Sequence, residues 1–208
     1  EIAAFCAVTY AVTFSEAVTG VTEDDFVLAS AGVSSPAIGT VDGSGTSWTV
    51  EVDTGTGTGT IQLRSNSVAG SSIDIAGNLR TGSLNGQIYS VESTPPVITA
   101  ITRDDASPTN ASSVNFTVSF SEAVTGFAAD DLLLVPTGIT GASIGTITDL
   151  GNHLDWVVTV NTGSGSGTIG LNADGMEDGP AMDNIGNERT GEFTGEVYSI
   201  DKTPPEFT

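Results

Sequence analysis

Carboxylates are the residues of this chain with the most chemistry to offer. Its 208 residues carry 26 Asp and Glu against five Lys and Arg, a net charge of −21. Two segments space acidic and amide side chains as a hard cation would need them: Asp74-Ile-Ala-Gly-Asn78 and Asp183-Asn-Ile-Gly-Asn187. In each, the glycine permits a tight loop that can bring Asp and Asn oxygens to one point, the ligand chemistry that Ca²⁺ prefers. The same residues also suit a simple turn in which Asp and Asn satisfy neighbouring backbone groups. Further carboxylates precede each segment: Glu16 and Asp25 in one case, Glu122, Asp130 and Asp131 in the other.

Catalysis has less to stand on. His153 is the single histidine and falls in a Gly-Asn-His turn. No nucleophile elbow, paired-histidine metalloprotease motif or P-loop appears. The alternating run Thr54–Thr60 has no lysine and reads as a turn between strands rather than a phosphate cradle. The acidic pairs lie among Gly, Thr and Asp, whereas a glycosidase acid needs an apolar pocket. Cys6 is alone, which leaves neither an internal disulfide nor a zinc spacing. The chain therefore reads as a non-enzyme. Its negative field repels phosphate backbones and anionic lipid, so nucleic acid and direct membrane insertion are excluded as partners. No apolar run approaches the roughly 20 residues of a membrane-spanning helix.

The elements that must position these carboxylates emerge from an internal repeat. Tyr10–Leu28 reads YAVTFSEAVTGVTEDDFVL, and Phe116–Leu134 reads FTVSFSEAVTGFAADDLLL. The correspondence continues through Trp48 and Trp156, through IDIAGNLRTG and MDNIGNERTG, to STPP and KTPP. Pro95 and Pro204 mark a period of 109 residues. Within each copy, Val, Phe and Tyr alternate with Thr, Ser and Asn, the period of two that buries one face of a sheet. In the second copy, strands are predicted near 97–102, 113–120, 131–135, 143–148, 154–160, 167–171 and 195–200. Seven short strands with Gly, Asn and Asp turns between them suit a two-sheet sandwich of about 100 residues. The two tryptophans are expected as core anchors.

The predicted division is 1–94, 95–203 and 204–208, the last opening a further repeat. Residue 1 aligns with Ser107, so the first copy has no counterpart of Val97–Ala106 and should present an open sheet edge. The Thr-Pro-Pro connector is stiff, because proline fixes its own φ and restricts the residue before it. Alternating strand directions assign each loop to a pole. Glu122, Asp130, Asp131, Asp183 and Asn187 gather where the connector arrives with Glu92. Asp104, Asp105 and Asp201 fall at the opposite pole. Glu16, Asp25, Asp74 and Asn78 hold the corresponding places in the first copy. Calcium is the cofactor expected from this crowding, since close carboxylates repel unless a cation neutralises them.

These motifs resemble the bacterial Ig-like repeats of giant surface adhesins and biofilm proteins. The second copy carries Pro108-Thr-Asn, Phe120-Ser-Glu, Asp131-Leu, Asp183-Asn-Ile-Gly-Asn187 and Lys202-Thr-Pro-Pro. The first carries Phe14-Ser-Glu, Asp25-Phe and Asp74-Ile-Ala-Gly-Asn78, although its opening EIAAFCAVTY departs from the pattern. The resemblance implies an all-β fold of two tandem immunoglobulin-like, seven-stranded β-sandwiches, the first lacking its N-terminal strand. It also implies a secreted or cell-surface location and calcium at domain junctions. The function expected is a structural and adhesive module in a calcium-rigidified stalk. Two alternatives stay open: a subunit of a filament or surface layer, and a carbohydrate- or receptor-binding domain. The partners expected are neighbouring repeats of the same chain and other copies of itself.

Overall fold

The computed structural model describes residues 2–3, 7–67, 72–173 and 181–207. The chain divides into two units, Glu1–Thr94 and Pro95–Thr208. Among the described residues both are all-β, with only a 3₁₀ turn, Glu23–Asp25 or Ala129–Asp131, interrupting the strands. Among the described residues no helix is long and apolar enough to cross a membrane.

The first unit contains β1 (Ile2–Ala3), β2 (Ala7–Thr19), β3 (Phe26–Ala31), β4 (Ala37–Asp53), β5 (Gly59–Ser65), β6 (Ile73–Asp74) and β7 (Asn85–Val91). One sheet runs β1-β7-β5-β3 and the other β4-β2-β6. The second unit contains β8 (Ile98–Arg103), β9 (Ser113–Phe120), β10 (Leu133–Thr137), β11 (Ser143–Asp149), β12 (Asp155–Asn161), β13 (Gly167–Ala173) and β14 (Phe193–Ile200). Its sheets run β11-β12-β9-β8 and β10-β13-β14. All seven strands predicted for the second copy form, with boundaries moved by a few residues.

Alternation along β9 shows why. Val114, Phe116, Val118 and Phe120 are buried, while Ser113, Asn115, Thr117 and Ser119 between them are not. They meet Val158 and Val160 of β12 and Ile169 and Leu171 of β13 in one core. Each such side chain contributes about 1.5–3 kcal/mol on burial. Phe116 packs edge-to-face on Tyr198 with ring centroids 5.0 Å apart. The Tyr198 hydroxyl donates to the Asn115 carbonyl at 2.6 Å and accepts the Asp105 N–H at 2.8 Å, which fastens β14 across β9.

The tryptophans differ from expectation. Trp48 and Trp156 are only half-buried, flanking the cores rather than anchoring them. Their indole N–H groups donate to the carbonyls of Gly45 and His153, each three residues upstream. An indole N–H needs a partner, and the nearest one lies in the surface turn that opens the strand. In the second unit the tyrosine of the last strand, Tyr198, holds the central place instead.

The two units differ at one edge. In the second, β8 pairs antiparallel with β9, from Ile98↔Phe120 to Arg103↔Phe116. In the first, β2 pairs with β4, and on its other side only Val18 and Thr19 meet β6. Among the described residues nothing occupies the place of β8. Residues 2–3 match the other unit's parallel contact: Ala3↔Val91 corresponds to Thr109↔Ile200. Among the described residues β2 has no strand partner along Tyr10–Phe14 on the side away from β4. Backbone amides there are expected to exchange with solvent deuterium faster than those of Phe116–Phe120. Equal protection of the two stretches in dilute solution would contradict an open edge.

Candidate functional site: carboxylates at the loop pole

Backbone hydrogen bonds draw three loops of the second unit to one pole. Val124 N–H donates to the His153 carbonyl at 2.8 Å, joining the loops after β9 and β11. Thr125 and Met182 exchange N–H···O bonds of 2.7 and 3.0 Å, joining the loop after β9 to the one after β13. Thr190 N–H reaches the Pro96 carbonyl at 3.1 Å, so the entering connector residue shares this pole.

Asp183 organises the last of these loops. It is 2% exposed. Its Oδ1 accepts the N–H groups of Ile185, Gly186 and Asn187 at 2.8, 2.7 and 2.9 Å. Its Oδ2 accepts the Asn187 side-chain amide at 2.7 Å. Gly186 adopts φ +104°, a conformation that side chains rarely take, which is why glycine stands there. Burial pushes the Asp183 carboxyl up, but the hydrogen bonds from Asn187, Ile185 and Gly186 outweigh it and hold the group below its ordinary range. The Asp-Asn pair is therefore a turn device first, one of the two readings its spacing allowed. Glu122, half-buried in the loop after β9, brings a carboxylate oxygen within 4.8 Å of one of Asp183.

The first unit repeats this local arrangement. Asp74 Oδ1 accepts the N–H groups of Ala76 and Asn78 at 2.8 Å, and Oδ2 accepts the Asn78 amide at 2.8 Å. Hydrogen bonds from the Asn78 side chain and backbone hold the Asp74 carboxyl low, against a smaller opposing effect of desolvation. Glu16, Asp74 and Asn78 line one cleft of about 260 Å³. In both units the Phe-Ser-Glu glutamate thus comes to the aspartate of the late turn.

Asp25 and Asp131 take a different role. Both are buried, at 1% and 0% exposure. Asp131 Oδ2 accepts the Ala128 N–H at 2.8 Å, closing the 3₁₀ turn. Its Oδ1 accepts the Ala181 N–H at 3.4 Å and stands 3.5 Å from Arg189 Nε. Asp25 caps Thr22 N–H with Oδ2, while its Oδ1 accepts the Ser72 hydroxyl and faces Arg80 Nε at 3.6 Å. A cation at either carboxylate would have to displace a guanidinium. Asp130 is exposed beside its buried neighbour. At the opposite pole, Asp104 accepts the Thr117 hydroxyl, Asp105 the Asn115 N–H, and Asp201 the Thr203 N–H. Among the described residues these three do not form a three-carboxylate group.

Arg80 and Arg189 are the residues that motif reading passed over. Both stand in the Arg-Thr-Gly that ends the repeated late segment. Two of five basic residues, at matching positions in a chain this acidic, were the available signal.

Two outcomes follow from this chemistry. Arg189→Met strands a buried carboxylate and is expected to cost about 3–5 kcal/mol, whereas adding Asp131→Leu should recover part of that loss. Urea unfolding of the four members of the cycle measures it; strictly additive losses would mean the two side chains do not interact. For Asp183, the folded carboxyl lies below its unfolded value. Its stabilisation is complete above the ordinary carboxylate range of about 4 and is lost as pH falls through the depressed folded value. Asp183→Asn should flatten the acid limb of a stability–pH curve, and an unchanged acid limb would assign acid unfolding to other groups.

Residues 92–197, just over half of the chain, match a family model described as a bacterial Ig-like domain. Comparison with curated proteins gives no match.

Proposed function

The chain belongs to the bacterial Ig-like domain family, and from that premise we propose that it is a repeat module of a long extracellular bacterial surface protein, stiffened by calcium to serve as a stalk. The observation that carries the calcium reading is the approach of Glu122 to Asp183 at the pole of the second unit where Pro96 enters. Asp183 is already held in its charged form by four hydrogen bonds, so a cation beside it costs no deprotonation. Its Oδ2, with one amide donor, and the Glu122 carboxylate supply hard oxygens; backbone carbonyls and water would complete the six to eight that Ca²⁺ takes. Glu92 stands three residues ahead of Pro95 in the chain and is the connector ligand we assign. An ion taking ligands from both sides of Thr-Pro-Pro would limit bending at that connector.

Two features support a structural role over the alternatives. Every tyrosine and tryptophan is buried or half-buried, which leaves a carbohydrate-binding reading without the open aromatic platform it needs. The buried Asp–Arg pairs are spent inside the fold, and Asp74 and Asp183 at the poles are engaged by backbone N–H groups and an asparagine amide of their own turns.

The test is thermal unfolding and small-angle scattering of the full chain in calcium and in chelator. Extracellular modules of this kind bind at about 10⁻⁴–10⁻³ M. One millimolar calcium at a site of about 0.1 mM affinity should add on the order of 1 kcal/mol. Glu122→Gln should remove that gain while leaving the chelator-state stability near its original value. Identical melting and identical dimensions in calcium and in chelator would leave the acidic pole as a solvated surface.

A further inference from the structure

β3 is the last strand of its sheet. The order is β1-β7-β5-β3, and among the described residues β3 pairs with β5 alone, from Phe26↔Ser65 to Ala31↔Thr60, without a register shift. Its free side lies at the end of the sheet away from β1, and β10 is terminal in the same place in the second unit. One bond fixes which backbone groups face outward. Asn66 N–H donates to the Asp25 carbonyl at 2.8 Å. Hydrogen-bonded pairs recur at every second residue of an antiparallel ladder, so Val27, Ala29 and Ala31 turn their N–H and C=O groups to β5. Phe26, Leu28 and Ser30 turn theirs away from it. The Phe26 N–H is taken by the Glu23 carbonyl in the 3₁₀ turn, and those of Leu28 and Ser30 point off the sheet. Native edges are normally blunted by charge, proline or a bulge. β10 carries Pro136 where β3 carries Ser30, and β11 has a register shift between Ile144 and Ile147 and ends on Asp149. β3 reads Phe-Val-Leu-Ala-Ser-Ala and has none of these protections.

We infer that the β3 edge is a self-association site, and that its partner is β3 of a second copy of this chain, paired antiparallel about a twofold axis. A twofold contact needs a surface that complements itself. An uncharged strand with outward donors at Leu28 and Ser30 and outward carbonyls beside them meets that need. The charge of the chain decides both the partner strand and its direction. At −21, two copies repel each other, and a contact between them has to avoid carboxylates. β3 itself has none, but the acidic turn Glu23–Asp25 stands directly before it. A parallel pair would set the two acidic turns side by side. An antiparallel pair sets them at opposite ends of six residues, about 20 Å apart. That separation exceeds the Debye length of about 8 Å at physiological salt, so the turns no longer oppose the contact. The side chains suit it as well. Val27, which is 41% exposed, shares the outer face with Ala29 and Ala31, so the residues that meet across the axis on that side are small. The pairing joins the two four-stranded sheets edge to edge.

The contact needs no cation, so the 208-residue chain is tested in chelator, where calcium plays no part. Sedimentation velocity over a concentration series reaching about 1 mM should show a monomer–dimer equilibrium. Added salt should tighten the dimer, because it screens the repulsion between copies. Amide exchange at Leu28 and Ser30 should slow as the dimer forms. Ser30→Pro copies the residue that β10 carries at the same place, and it removes one outward donor from each copy. It should weaken the dimer about tenfold or more, since two of the pairing hydrogen bonds are lost. Ala29→Lys brings two like charges together near the axis and should weaken it too, without touching the backbone. A chain that stays monomeric through the whole series would overturn the assignment, as would a dimer that either folded variant leaves equally tight.

Discussion

A buried carboxylate facing an arginine holds the loop pole of each unit together. Asp131 closes the 3₁₀ turn ahead of β10 with one oxygen and faces the loop after β13 with the other. Arg189 extends the tie, since its Nη1 donates to the Gly191 carbonyl at 3.0 Å. In the first unit Arg80 Nη2 reaches the Asn66 carbonyl at 3.2 Å, and Asn66 N–H returns to the Asp25 carbonyl at 2.8 Å. Such a pair need not add net stability over well-packed apolar residues, because taking two charges out of water is costly. What it contributes is position. It ties the turn before one sheet's edge strand to the loop that carries Asp183, and so helps fix where that carboxylate meets Glu122.

The strands were legible because half-buried sheets repeat every two residues, and β9 keeps that alternation without a break. The repeat made the reading stronger, since two copies had to share one pattern. The late Asp-x-x-Gly-Asn turn was legible as well, as a device whose aspartate accepts the N–H groups of its own loop. The roles of Asp25 and Asp131 were not. An Asp-Asp pair in an acidic chain looks like surface, and only the path of the backbone shows that one member points inward to an arginine more than fifty residues away. The tryptophans misled for a related reason. Size argues for burial, but the indole N–H must be satisfied, and a turn carbonyl at the strand's entrance drew each ring to the margin of the core.

The difference between the two units shows what a single edge strand does for a sandwich of this size. With β8 in place, Val114, Val118 and Tyr198 are all but sealed from solvent. Without it, Val8 and Val12 are slightly more exposed at 9% and 5%, and Tyr89 lies half-open. The core of the first unit still forms around Val50, Val52, Ile61 and Leu63, each fully buried. β8 is thus a cover on a core that the other strands already define.

Glu122 and Asp183 meet in loops of the second unit, where close negative groups repel unless hydrogen-bond donors or a cation offset them. A chain at −21 resists non-specific association between copies. Only a contact with enough directed hydrogen bonding and apolar burial overcomes that repulsion.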